Sequence, residues 1–76
     1  MSFETATLVF EDPRAMSVLD RIEEGEERWQ TWGMAGGVLV LLVVHTHREV
    51  AGEERTRIVS ARKATPLERK MYEENL

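Results

Sequence analysis

Seventy-six residues make one small domain, 1–76, and a chain this short buries only about 60% of the surface its unfolded form exposes. With no cysteine it has neither disulfides nor thiolate metal sites, and its two histidines cannot build a structural zinc site alone. Fourteen acids against ten bases give a formal charge of −4, yet residues 1–38 carry −5 and residues 39–76 carry +1, so the molecule is two-sided in charge. No apolar run approaches the ~20 residues that span a bilayer, and the absence of disulfides and of a signal peptide suits the cytoplasm.

Ser2 is a fitting N-cap for a helix over Phe3–Glu11, which ends before Asp12-Pro13 because a residue preceding proline is biased away from the α region. Met16, Val18 and Leu19 suggest a short edge strand, and Glu23 to Glu27 an exposed acidic loop. Arg28 to Gly33 has β-forming residues, and Met34 to Gly37 contains the Gly-Gly of a turn. Val38 to Thr46 is the strongest strand, apolar on both faces, and belongs inside a sheet with cover on each side. Glu49 to Glu54 connects it to a strand over Thr56–Ala61. Thr65-Pro66-Leu67-Glu68 then opens a closing helix over Thr65–Glu74: an N-cap, a proline at N1 and the carboxylate of a capping box. Leu67 and Met71 put an apolar stripe on that helix. The whole predicts an α+β fold: a three- to four-stranded antiparallel meander with an N-terminal and a C-terminal helix covering one face.

The stretch Arg55 to Tyr72 holds six of the ten bases and a single acid, Glu68, a local charge of +5. Such a cluster in an acidic chain points to a polyanion. Guanidinium groups grip phosphate in bidentate fashion, and neighbouring hydroxyls add hydrogen bonds. Strict alternation sets Arg57 on one face and Thr56, Ile58, Ser60 and Arg62 on the other, so Arg57 and Arg62 reach one phosphate only if the strand is bulged or Arg62 lies beyond its end. His45 and His47 share one face of the central strand, Thr46 and Arg48 the other. The His pair has no evident third metal ligand, and either ring can act as acid or base. Trp29 and Trp32 lie on opposite faces, where one packs in the core and the other can stack on a base.

Taken in order, F-E-T-A, V-F-E-D-P, G-E-E-R-W, Gly33, L-V-V-H-T-H-R and R-I-V-S-A-R-K-A-T-P-L-E-R-K-M-Y-E resemble the BrnT toxins. These are the ribonuclease partners of BrnA antitoxins, with a RelE-like fold. The resemblance covers almost the whole chain, and its stretch from Arg57 to Tyr72 is specific. It implies a metal-independent, cofactor-free endoribonuclease that cleaves RNA and is neutralised by a BrnA-like antitoxin. In such chemistry the ribose 2′-OH attacks the adjacent phosphate. Carried over by position, Arg57 and Arg62 stabilise the phosphate and its transition state, and Glu27 is the acid or base with His47 as alternate. Thr46, Arg48 and Lys63 lie beside them for RNA binding, and Trp29 and Tyr72 hold RNA or the site.

Members of the family usually open with a strand and helix of the type W-D-x-x-K…N…K-H-G-V ahead of the S-F-E-E-A helix, whereas Met1 stands directly before Ser2-Phe3 here. A fold shortened in that way bares apolar sheet, for which a homodimer is the expected cover. Two other classes of function fit the same residues. One is a catalytically inactive BrnT-like module that keeps the antitoxin- or RNA-docking surface; the other is a dimerisation domain without a ligand.

Overall fold

In the computed structural model, residues 2–37 and 39–74 are described. A short helix α1 (Phe3–Thr7) runs into a 3-10 turn (Leu8–Glu11). Four strands follow, β1 (Met16–Glu23), β2 (Glu26–Ala35), β3 (Leu39–Val50) and β4 (Glu53–Lys63), and helix α2 (Pro66–Glu74) closes the chain. The strands form one antiparallel sheet in the order β1-β2-β3-β4. The meander and its two flanking helices agree with the pattern in the sequence.

Every strand is longer than its pattern suggests, and the turns are the reason. Glu24-Gly25 and Ala51-Gly52 are two-residue turns with positive φ at both positions. That geometry matches the right-handed twist of the flanking strands, so pairing continues to Glu23↔Glu26 and Val50↔Glu53. The acidic run expected as a loop therefore folds into two strand ends. Val38, expected to begin the central strand, lies outside the described residues.

At the N-terminus Ser2 accepts the Thr5 amide at 3.2 Å, as a cap should. Expected as one helix, Phe3–Glu11 tightens halfway into the 3-10 turn and stops at Asp12, which is extended. This segment lies on one face of the sheet, called here the inner face. The core forms there from Ala6 and Val9 with Ala35, Leu41 and Val43, flanked by Leu39, Ile58 and Ala61. Burying side chains such as Leu41 and Val43 stabilises by about 1.5–3 kcal/mol each. Gly33 permits the close approach: a Cβ there would stand 2.7 Å from Val9 Cγ1 and 3.0 Å from its carbonyl oxygen.

Helix α2 begins with the expected capping box. Glu68 N–H donates to Thr65 Oγ1 at 3.2 Å, and Thr65 N–H donates to Glu68 Oε1 at 2.9 Å. The face it buries differs from expectation. Leu67 and Met71 are 67% and 50% exposed, while Glu68 and Tyr72 turn inward. Glu68 bonds Arg62, which pairs with Leu42 on the face opposite the core. The start of α2 is thus tied to the outer face, whereas α1 and the 3-10 turn pack on the inner one. Tyr72 anchors the far end by donating its hydroxyl to Asp12, whose carboxylate also accepts the Met34 amide at 2.8 Å and the Arg14 amide at 2.9 Å. Burial alone would raise the Asp12 pKa, but the hydrogen bonds from Tyr72, Met34 and Arg14 outweigh it and hold the carboxyl below its usual value. Burial first, and then the same contact with Asp12, push the Tyr72 phenol up to about 12. No helix among the described residues is long and apolar enough to cross a membrane.

Candidate functional site

Residues paired across strands share a face, so the registers assign the paired strand side chains. Two bulges modify strict alternation. In β4, Val44 pairs with Ser60 and His45 with Ile58, which leaves Val59 as one extra residue. In β1, Asp20 is skipped between Leu19↔Trp29 and Arg21↔Arg28. The Val59 bulge has a direct consequence for the arginines. Arg57 pairs with Thr46 and Arg62 with Leu42, both on the outer face, so residues that alternation alone would separate lie together. Ser60 joins them there, and Ala61 moves to the inner face.

The outer face of the strands carries Arg21, Arg28, Arg48, Arg55, Arg57 and Arg62 against Glu23, Glu26 and Glu53, a formal +3. The inner face carries Lys63 against Glu27, Glu49 and Glu54, a formal −2. One row crosses all four strands: Arg21, Arg28, Thr46 and Arg57. With strands ~4.8 Å apart it spans about 14 Å. Arg48 meets Glu26 at 3.5 Å, Arg21 meets Glu23 at 3.2 Å, and Arg55 meets Glu53 at 3.9 Å. Among the described residues, Arg28 and Arg57 have no carboxylate within ion-pair distance. Their charge is therefore available to an incoming anion.

Arg62 is held differently. Its Nη1 and Nη2 donate to the two carboxylate oxygens of Glu68 at 2.7 and 3.0 Å, and Nη1 also donates to the Lys63 carbonyl at 3.2 Å. The Arg62 hydrogen bonds lead the causes that lower the Glu68 pKa to about 2. The Trp32 indole adds to that lowering, although its buried Nε1 lacks a hydrogen bond of full geometry.

On the inner face, beyond the apolar core, a polar cluster fills the rest of the sheet. Hydroxyls of Ser17 and Thr31 share a hydrogen bond of 2.8 Å, and Thr31 bonds His45 Nε2 at 2.8 Å. The Phe10 ring stands edge-on to His45 at 4.9 Å. Burial, with His47 nearby, holds the His45 pKa below its usual value, so the ring is kept neutral. Trp29 donates to Glu27 at 3.2 Å, and His47 bonds the Thr56 hydroxyl at 3.2 Å. Ser17, Glu27, Trp29, His45, His47 and Thr56 line an open pocket of about 400 Å³. Among the described residues, no three His, Asp or Glu side chains gather as a metal-binding set.

The residues singled out in the sequence thus fall into two groups. Arg57, Arg62, Thr46 and Arg48 share the outer face, whereas Glu27, His47, Trp29 and Lys63 take the inner one. Tyr72 is 4% exposed, with its hydroxyl engaged by Asp12, so it anchors α2. Arg28 was not legible as part of the row. Its own segment gave no sign of it, and only the β2–β3 register sets it beside Thr46. Asp12 was visible only as the end of a helix.

The sequence model of one family, described as ribonuclease toxin, BrnT, of type II toxin-antitoxin system, matches residues 1–68. No curated protein matches the chain.

Proposed function

This chain belongs to the BrnT family of ribonuclease toxins of type II toxin–antitoxin systems, and on that premise we propose that it is an endoribonuclease that binds RNA along the outer face of its sheet. The observation that supports this most is the Val59 bulge, which puts Arg57 and Arg62 on one face beside Arg28 and Thr46. Phosphate contacts give affinity and position along RNA without reading its bases. At the scissile phosphate the ribose 2′-OH loses its proton and attacks phosphorus, and the leaving 5′ oxygen takes up a proton. Arg57 and Arg62 stabilise the extra negative charge on the non-bridging oxygens. No metal is required for these steps. Glu27 and His47 are the groups for proton transfer. His47 bonds Thr56 at the β4 edge, next in sequence to Arg57, so RNA lying along that edge meets both faces.

The partners in this proposal are RNA, a BrnA-like antitoxin and a second copy of the chain, acting in the cytoplasm. Self-association is supported by the edge strand β1, where Val18, Leu19 and Ile22 are 48%, 40% and 61% exposed. A second assignment has its own support. The sheet stands between the arginines and Glu27 with His47, which suits a module that docks RNA or antitoxin without cutting.

RNA cleavage by wild type, Arg57→Ala, Arg62→Ala and His47→Ala decides between them. The nuclease assignment requires cutting by wild type and its loss in both arginine variants. If wild type binds RNA with a steep salt dependence but leaves it whole, the protein is a docking module. If both arginine variants cut like wild type, the outer face is not the site.

A further inference from the structure

The contacts of Arg62 go further than its assignment as a phosphate ligand. A guanidinium has five N–H donors in a rigid plane and two edges that can grip a pair of oxygens. Glu68 occupies one edge, through Nη1 and Nη2 at 2.7 and 3.0 Å. The Lys63 carbonyl takes a further donor of Nη1 at 3.2 Å. What remains is Nε–H and the outer N–H of Nη2, along the second edge. Among the described residues no acceptor is bonded there. The Arg62 side chain is 53% exposed while Glu68 is 18% exposed, so the carboxylate is behind and the guanidinium in front.

We propose that Glu68 is a positioning residue for RNA cleavage: it fixes the Arg62 guanidinium by one edge and presents the other edge, Nε and Nη2, to two oxygens of the scissile phosphate. This deepens the assignment of the outer face as the RNA surface and rests on it. Glu68 is itself held by the capping box of α2, so the helix start sets the aim of the arginine. Because the Arg62–Glu68 pair carries no net charge, Arg62 contributes directed donors, while Arg57, without an acidic partner among the described residues, contributes charge. A bidentate contact held ready in this way acts mainly on the turnover step, where misplacement is costly.

Glu68→Gln separates aiming from folding. Glutamine keeps the capping acceptor but cannot form the charged two-oxygen grip on Arg62. Three measurements follow: single-turnover cleavage of a short single-stranded RNA, nitrogen-15 NMR of the Arg62 guanidinium, and a thermal melt. We expect an unchanged helix, faster rotation of the guanidinium, a saturating single-turnover cleavage rate lower by roughly tenfold or more and a half-saturating concentration within about threefold. Arg62→Ala with Glu68→Gln should be no slower than Arg62→Ala alone. Cleavage by Glu68→Gln at or above the wild-type rate overturns the proposal, as does an additive double variant or a guanidinium as mobile in wild type as in Glu68→Gln. If wild type cuts no RNA, the nuclease assignment fails instead. The NMR result then decides the positioning: an Arg62 guanidinium more mobile in Glu68→Gln than in wild type upholds it, and equal mobility in the two overturns it.

Discussion

The two faces of this sheet are made by the same four strands, yet they do different work. The inner face meets α1 and the 3-10 turn, and its centre is apolar: Ala35, Leu41 and Val43 under Ala6 and Val9. The outer face holds six arginines, and only its lower end is tied to a helix through Arg62 and Glu68. In the unmodified parts of each strand, period-two alternation sends successive residues to opposite faces, and the outer face itself is apolar where Val40 and Leu42 are 5% and 4% exposed and charged beyond them. At Asp20 and Val59 one extra residue resets the sorting. The comparison teaches that net charge is a poor guide here. A chain of −4 presents a face of formal +3, because its acids sit largely on the turns, the helices and the other face.

The sharpest way to break this division is at Arg57. Arg57→Ala should lower RNA cleavage by about 100-fold or more and reduce the slope of log affinity against log salt by about 1, while leaving the melting temperature in place. A strong loss of stability instead would mean that Arg57 serves the fold. The converse experiment is Gly33→Ala on the inner face. Its Cβ meets the stiff Val9 side chain and backbone, so denaturant titration should show a loss of ~1–3 kcal/mol, with RNA affinity of the folded fraction unaffected.

Tyr72→Phe tests the tie between the halves. Losing the bond to Asp12 should cost about 1 kcal/mol. The pH dependence carries a further sign. The folded pKa of Tyr72 is raised to about 12 from 10.0, so its contribution is complete below pH 10 and fades as pH climbs toward 12. Tyr72→Phe should lack that alkaline decline. The smallest effect distinguishes the faces on acidification. His45, lowered from 6.5, stabilises above that pH and loses its contribution as pH falls below it. Glu68, lowered from 4.5 to about 2, keeps its contribution until pH drops below 4.5. Inner-face NMR signals should therefore broaden or shift before those of Arg62 and α2, and Glu68→Gln should flatten only the lower limb.

Much of the fold was legible in the sequence because it depends on local chemistry. Thr65 and Glu68 are a capping box in both, and Asp12-Pro13 ends the first helical segment as expected. The apolar run to Thr46 is a strand with neighbours on both sides. The misplacements arise where non-local packing decides. Leu67 and Met71 look like a buried stripe, but the Arg62–Glu68 and Tyr72–Asp12 contacts rotate α2 so that they face outward. Glu23 to Glu27 looks like a loop, yet the two-residue turn at Glu24-Gly25 and pairing with β3 draw three of its acids into strands. For the site, His45 with His47 and Thr46 with Arg48 were separable by parity alone. The meeting of Arg57 with Arg62 was not, since spacing cannot reveal a bulge. Neither was Arg28, whose place depends on which strand pairs with β3.

Val59 also has a bearing on how relatives are to be compared. A bulge residue is supernumerary to the pairing, so a chain without it would retain both arginines on one face, four positions apart instead of five. The two spacings are equivalent in space although they differ in text. A search pattern that demands a fixed interval between these arginines would split one lineage into two, whereas a single gap opened at Val59 would keep it whole.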